Sequence, residues 1–171
     1  MSDTDAPDDT DIAARVGRAL EARGETLAVA ESCTGGLLGS TVTGVAGSSA
    51  YFAGGVLAYT DRVKRRLLAV SRESLERHGA VSESVASAMA RHVRDETGAD
   101  WAVSTTGYAG PTSDDPDIPV GTVYIGIAYA GGQGDSFAAV ERHRFDGDRE
   151  TVKGRTVERA LGALLERVEA Q

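Results

Sequence analysis

The sequence predicts an α/β sandwich built around a mixed sheet. Two observations carry the prediction: up to residue 107 short apolar segments alternate with segments of helical periodicity, and beyond it two long strand-like segments precede a last helix. A helix between two strands returns the chain to pair in parallel, whereas a tight turn makes its strands pair antiparallel. A sheet that receives both connections is mixed.

The elements follow in order. Residues 1–8, MSDTDAPD, hold Asp3, Asp5 and Asp8 with little apolar surface, so they read as a disordered acidic tail ahead of one domain over 9–171. Ile12, Val16 and Leu20 recur every four residues and Gly24 follows Arg23, the pattern of an amphipathic helix closed by glycine. TLAVA (26–30) is a short buried strand, and the glycine-rich stretch from Gly35 opens a helix to about Val42. After a turn at 44–49, FAGGVLAY (52–59) is a strand that runs into Tyr59-Thr60-Asp61, where Asp61 is placed to cap a helix through Lys64, Leu67 and Leu68. Ser82 or Ser84 caps the next helix, with Val85, Met89 and Val93 on one face and Gly98 at its exit. WAVSTTG (101–107) is a strand, and the loop after it contains Pro111, Pro116 and Pro119. The segments 120–130 and 137–145 are two strands turning near Gly131-Gly132 as a hairpin, and Val152, Val157, Leu161, Leu164, Leu165 and Val168 line a final helix.

Composition narrows the function classes. A length of 171 residues suits one domain with a real core, and no apolar run nears the roughly 20 residues that a bilayer span needs. A formal charge of −8 without a basic block argues against a nucleic-acid surface and favours a small ligand. No membrane partner is expected either. Cys33 is the single cysteine, the three histidines are scattered without ligand spacing, and the acidic N-terminus lacks the features of a signal peptide. These point to a cytoplasmic chain without a disulfide, metal or cofactor. Arginine supplies all cations except Lys64 and Lys153, asparagine is absent, and acids exceed bases by eight, a bias that suggests adaptation to salt. The melting temperature is expected to hold or rise in molar potassium chloride; a fall would refute the adaptation.

In open α/β sheets ligands settle beyond the carboxyl ends of parallel strands, where ESCTGG, AYTD and STTGYAGP all lie in this sequence. Ser32 sits between a strand and a helix, with the main-chain N–H groups of Thr34, Gly35 and Gly36 close by. That placement serves a helix cap, a phosphate site, or a nucleophile beside an oxyanion hole. Lys64 lies one turn past the next strand end, and lysine becomes a base when burial lowers its pKa, whereas arginine does not. Its neighbours Arg62, Arg65 and Arg66 fit a plain solvated face equally well. Arg149 and Lys153 open the last helix, where positive charge opposes the dipole, so they bind an anion or are simply solvated. Glu31 is placed to orient Lys64 or Tyr59, or to pair with an arginine. Cys33 is a small buried side chain. His78, His92 and His143 sit away from the strand ends or within a strand, poor positions for a base.

Several ordered motifs carry a resemblance. AESCTGG (30–36), GVAGSSAYF (44–52), Tyr59 with Lys64 five residues on, HGAVSE (78–83), STTGYAGP (104–111) and PVGTVY (119–124) resemble the CinA C-terminal domain family over nearly the whole chain after the tail. The resemblance implies a three-layer α/β/α sandwich and a nicotinamide-nucleotide amidohydrolase, which converts nicotinamide mononucleotide to nicotinic acid mononucleotide and ammonia. It implies Ser32 as nucleophile, Lys64 as its base and Tyr59 as a polar partner of the pair. Thr34, Gly35, Gly36, Thr106 and Gly107 would line the pocket, Arg149 or Lys153 would meet the phosphate, and a homodimer is the expected assembly. Three positions depart from the family pattern: the loop Gly110-Pro111-Thr112-Ser113-Asp114-Asp115 replaces a glycine pair after Gly-Pro, Asp61 stands for asparagine, and Lys153 for arginine. An acidic loop closing over the pocket disfavours a phosphate. Two alternatives therefore stand beside the hydrolase: a non-catalytic nucleotide-binding module, and an amidase acting on another small amide.

Overall fold

The computed structural model describes residues 11–171, with Gln133 as backbone only; the acidic tail lies outside the described residues. Helix α1 (Ile12–Arg23) is capped by the Asp11 carboxylate and ends on Gly24 in the left-handed conformation. Strand β1 (Leu27–Glu31) follows, then α2 (Leu37–Thr43), β2 (Phe52–Leu57) and α3 (Asp61–Leu68). Thr60, rather than Asp61, caps α3: its hydroxyl accepts from the Val63 N–H, which leaves Asp61 in the first turn with a free carboxylate. Helix α4 (Arg72–His78) was not anticipated, because it buries only Leu75 and so shows no apolar period. The Ser71 cap and the i,i+4 pairs Arg72–Glu76 and Glu73–Arg77 support it instead.

Ser82 caps α5 (Glu83–Thr97), while the Ser84 hydroxyl turns to Ser74 at 2.6 Å. Strand β3 (Trp101–Gly107), the hairpin β4 (Thr122–Tyr129) and β5 (Phe137–Arg144), and α6 (Arg149–Glu169) complete the chain as expected. The sheet order is β2-β1-β3-β4-β5. β1 runs parallel to β2 and β3, and β4 runs antiparallel to β3 and β5.

Side-chain alternation along the strands builds the three layers. Leu27 and Val29 of β1 join Trp101, Val103, Ile125 and Ile127 on the face covered by α1, α2 and α6. Ala28, Ala30, Ala102 and Ala128 point the other way, beneath α3, α4 and α5. Small residues on this second face let α5 lie close to the sheet. At Gly126 a Cβ would come within 2.5 Å of the Ala86 carbonyl oxygen, so any side chain there would push the helix off. The carboxyl ends of β1, β2 and β3, the end of β5 and the start of α6 consequently share one edge. Among the described residues no helix is long and apolar enough to cross a membrane.

Candidate functional site

The alternation that layers the core also sorts the residues at the end of β1. Glu31 continues the odd-numbered face toward α2, and Ser32 continues the even-numbered face toward α3. Ser32 keeps its strand pairing, donating its N–H to the Thr105 carbonyl at 3.0 Å. Its side chain is held from the backbone it leaves.

On the even face Lys64 comes in from α3 with only 1% of its surface exposed. Its Nζ lies 2.9 Å from Ser32 Oγ, 2.9 Å from the Ala58 carbonyl and 2.9 Å from the Tyr59 carbonyl. Burial lowers the lysine pKa, and the charge of Asp61 opposes that shift without an ion pair. A neutral amine has two N–H donors and one lone pair. With both donors on the two carbonyls, the lone pair is left for the Ser32 hydroxyl, which is the geometry of a base.

Tyr59 contributes to this pair through its main chain. Its side chain is 57% exposed, and its hydroxyl accepts from Arg149 Nη2 at 3.1 Å, while Arg149 Nη1 donates to the Gly110 carbonyl at 2.6 Å. Tyr59, expected as a polar partner of the pair, meets Lys64 through its carbonyl, while its ring lies on the cleft and its hydroxyl meets Arg149. Arg149 ties the loops after β2 and β3 to α6 with two of its five N–H donors.

Glu31 corrects a second expectation. Its carboxylate, 3% exposed, meets neither Lys64 nor any arginine. It accepts from Thr34 Oγ1 (2.6 Å) and from the N–H groups of Leu38 (2.8 Å), Gly39 (2.9 Å) and Gly36 (3.2 Å), closing the start of α2. A buried anion on those amides is favoured by the helix dipole. Gly36, with φ of 99°, supplies the left-handed turn that aims them.

This arrangement uses up groups assigned to a ligand. The Gly35 N–H donates to the Ser32 carbonyl, the Gly36 N–H is on Glu31, and Thr34 is fully buried with its hydroxyl 2.7 Å from that of Thr105. Two of the three amides expected to form an oxyanion hole, those of Gly35 and Gly36, are therefore turned to holding the loop. Thr106 follows the even face, is buried and donates to the Ala80 carbonyl at 2.8 Å, so its hydroxyl is already satisfied. Gly107 does line the cleft, and Gly35 is exposed beside Lys153, whose Nζ would lie 3.9 Å from a Cβ placed there. Among the described residues Lys153 otherwise meets only the exposed Glu150, at 3.9 Å.

A cleft of about 360 Å³ opens here, bounded by Cys33, Tyr59, Asp61, Gly107, Tyr108 and Asp114. The acidic loop thus reaches the site through Asp114. Cys33 packs with Ala109, Val123 and Val152, and burial pushes its thiol up to about 12, so it stays protonated and unreactive at neutral pH. His143 is paired with Glu141 on β5, His78 ends α4, and His92 lies on α5. The Ala58 carbonyl and Thr105 were missed from the sequence: a carbonyl has no residue signature, and Thr105 becomes visible only through its register with Glu31.

Fold and site define a three-layer α/β/α protein with a buried serine–lysine contact at the carboxyl ends of its parallel strands. The chain belongs to the CinA C-terminal domain family, whose model matches residues 9–168. It is 48% identical over 157 residues to a CinA-like protein of Rippkaea orientalis, covering 92% of this chain and 37% of that protein. With a CinA-like protein of Salinibacter ruber it shares 48% identity over 145 residues, 85% of this chain and 34% of the relative. The chain thus spans about a third of these curated relatives. The crystal structure of the competence damage-inducible protein A (ComA) of Klebsiella pneumoniae superposes with a TM-score of 0.88 at 38% identity, covering 93% of this chain and 96% of that one.

Proposed function

We propose that this chain is an amidohydrolase that deamidates a nicotinamide nucleotide, nicotinamide mononucleotide in the first instance, through Ser32 and Lys64. The observation that carries the reading is the 2.9 Å contact between Ser32 Oγ and a buried Lys64 Nζ. Lys64 takes the Ser32 proton as Oγ attacks the carboxamide carbon, and the ammonium so formed sits beside the developing charge. The same proton then passes to the departing nitrogen, ammonia leaves, and an ester to Ser32 remains. Water attacks that ester with Lys64 again as base, which frees the carboxylic acid and restores the serine. Lys153 and Arg149 are the cations offered to a phosphate: Lys153 lies 3.9 Å from the exposed Glu150, and Arg149 keeps its charge and three of its five N–H donors beyond the bonds to Gly110 and Tyr59.

Purified protein should release ammonia from nicotinamide mononucleotide, and Ser32→Ala should not; no ammonia above the Ser32→Ala background would refute the reading. Asp61 and Asp114 on the cleft favour a second reading, an amidase for another small amide, which a substrate panel separates from the first. The pH profile gives an independent check. The base works as a neutral amine, so kcat should rise with pH through the depressed Lys64 pKa. The Asp61 charge favours the ammonium, so Asp61→Asn should move that rise to lower pH. A rise that stays in place, or moves upward, would remove Lys64 as its source.

A further inference from the structure

The cleft beside the dyad is acidic and aromatic. Asp61 and Asp114 bound it together with Tyr59 and Tyr108, and no lysine, arginine or histidine of the described residues lines it. Neither carboxylate makes an ion pair among the described residues. Lys64 is turned inward onto Ser32, and Arg149 donates to the Gly110 carbonyl and the Tyr59 hydroxyl without pairing with either carboxylate. Tyr108 senses the same field, for burial and then the charges of Asp114, Asp115 and Asp61 raise its pKa. The phenol stays neutral and keeps an electron-rich face. Two unpaired carboxylates in a cleft that Tyr59 and Tyr108 also line suit a flat cation better than an anion.

We propose that Asp61 and Asp114 are specificity-determining residues, which make the cleft select a carboxamide carried on a positively charged ring. This rests on the hydrolase reading and sharpens it: ring charge, rather than phosphate, governs entry beside Ser32. It also bears on product release. Hydrolysis turns a neutral amide into a carboxylate, so the product acquires a negative charge facing two others, and its release is favoured.

The test compares nicotinamide mononucleotide with its 1,4-dihydro form, which has the same phosphate and carboxamide but a neutral ring. Calorimetry on Ser32→Ala, which cannot turn the ligands over, should give about tenfold tighter binding of the cationic form, the size expected of two partly screened charge contacts. Adding Asp61→Asn and Asp114→Asn should reduce that preference to about twofold or less, with circular dichroism verifying the fold. Equal affinities in Ser32→Ala, a preference that survives both changes, or no binding of either form at millimolar concentration would each overturn the assignment. Ammonia release by the unsubstituted chain is read separately. Turnover with equal affinities leaves the hydrolase standing and removes the charge selection; preference without turnover does the reverse.

Discussion

Lys64→Met is expected to lower amide hydrolysis roughly a thousandfold, the scale of a lost general base, while the chain remains folded. Methionine is unbranched and close to lysine in length, so it can occupy a site that is 1% exposed without overpacking. What disappears is the lone pair aimed at Ser32, together with two hydrogen bonds to the Ala58 and Tyr59 carbonyls. Steady-state ammonia release checks the rate, and a loss under tenfold would exclude Lys64 as the base. Stability carries a second signature. Burial depresses the Lys64 pKa in the folded chain, so between that depressed value and the ordinary one the unfolded chain binds the extra proton. Stability contributed by this site therefore rises with pH across that window and is lost below it. Lys64→Met should flatten that dependence in denaturant titrations.

Glu31→Ala is expected to produce the largest loss of stability of any change at the site. The side chain is buried and accepts four hydrogen bonds, two from the first turn of α2, one from its N-cap Gly36 and one from Thr34, so its removal strands those donors away from water. A cost of about 3 kcal/mol follows, or a fall in melting temperature of roughly 6–12 °C for a chain of this size. Glu31→Gln should fall between, since an amide nitrogen cannot accept from the helix amides. Scanning calorimetry decides it, and a melting temperature within 2 °C or so of the parent would show that the carboxylate does not anchor α2. Ser32 is next in the chain, so kcat is expected to fall with the anchor.

Strand and helix identities were largely legible in the sequence because both periods are local. Ile12, Val16 and Leu20 on α1, the apolar run of β1 and the alternation of β4 and β5 each describe their own element. Helix α4 escaped because its support is a serine cap and surface ion pairs rather than an apolar face. Ser32 and Lys64 were legible as candidates through their places at strand ends. Their contact was not, because it depends on two crossovers bringing residues 32 positions apart onto one face.

The roles of Glu31, Tyr59 and Arg149 show the other half. Counting alternate residues from Ala30 places Glu31 opposite to Ser32, so the parity that excludes Glu31 from the dyad was present in the sequence. Which donors the carboxylate would meet was not, because α2 must first lie across that face. Tyr59 acts through a carbonyl that any residue has, and Arg149 reaches it from 90 positions away. The sequence by itself determined the secondary elements other than α4, the family and the two candidate side chains Ser32 and Lys64, since these rest on local periodicity, motif and residue type. Only the tertiary structure decided which groups a ligand can meet, because hydrogen bonds made across the fold tie Thr34 to Thr105 and Arg149 to Gly110, and the same packing places Asp61 and Asp114 on the cleft.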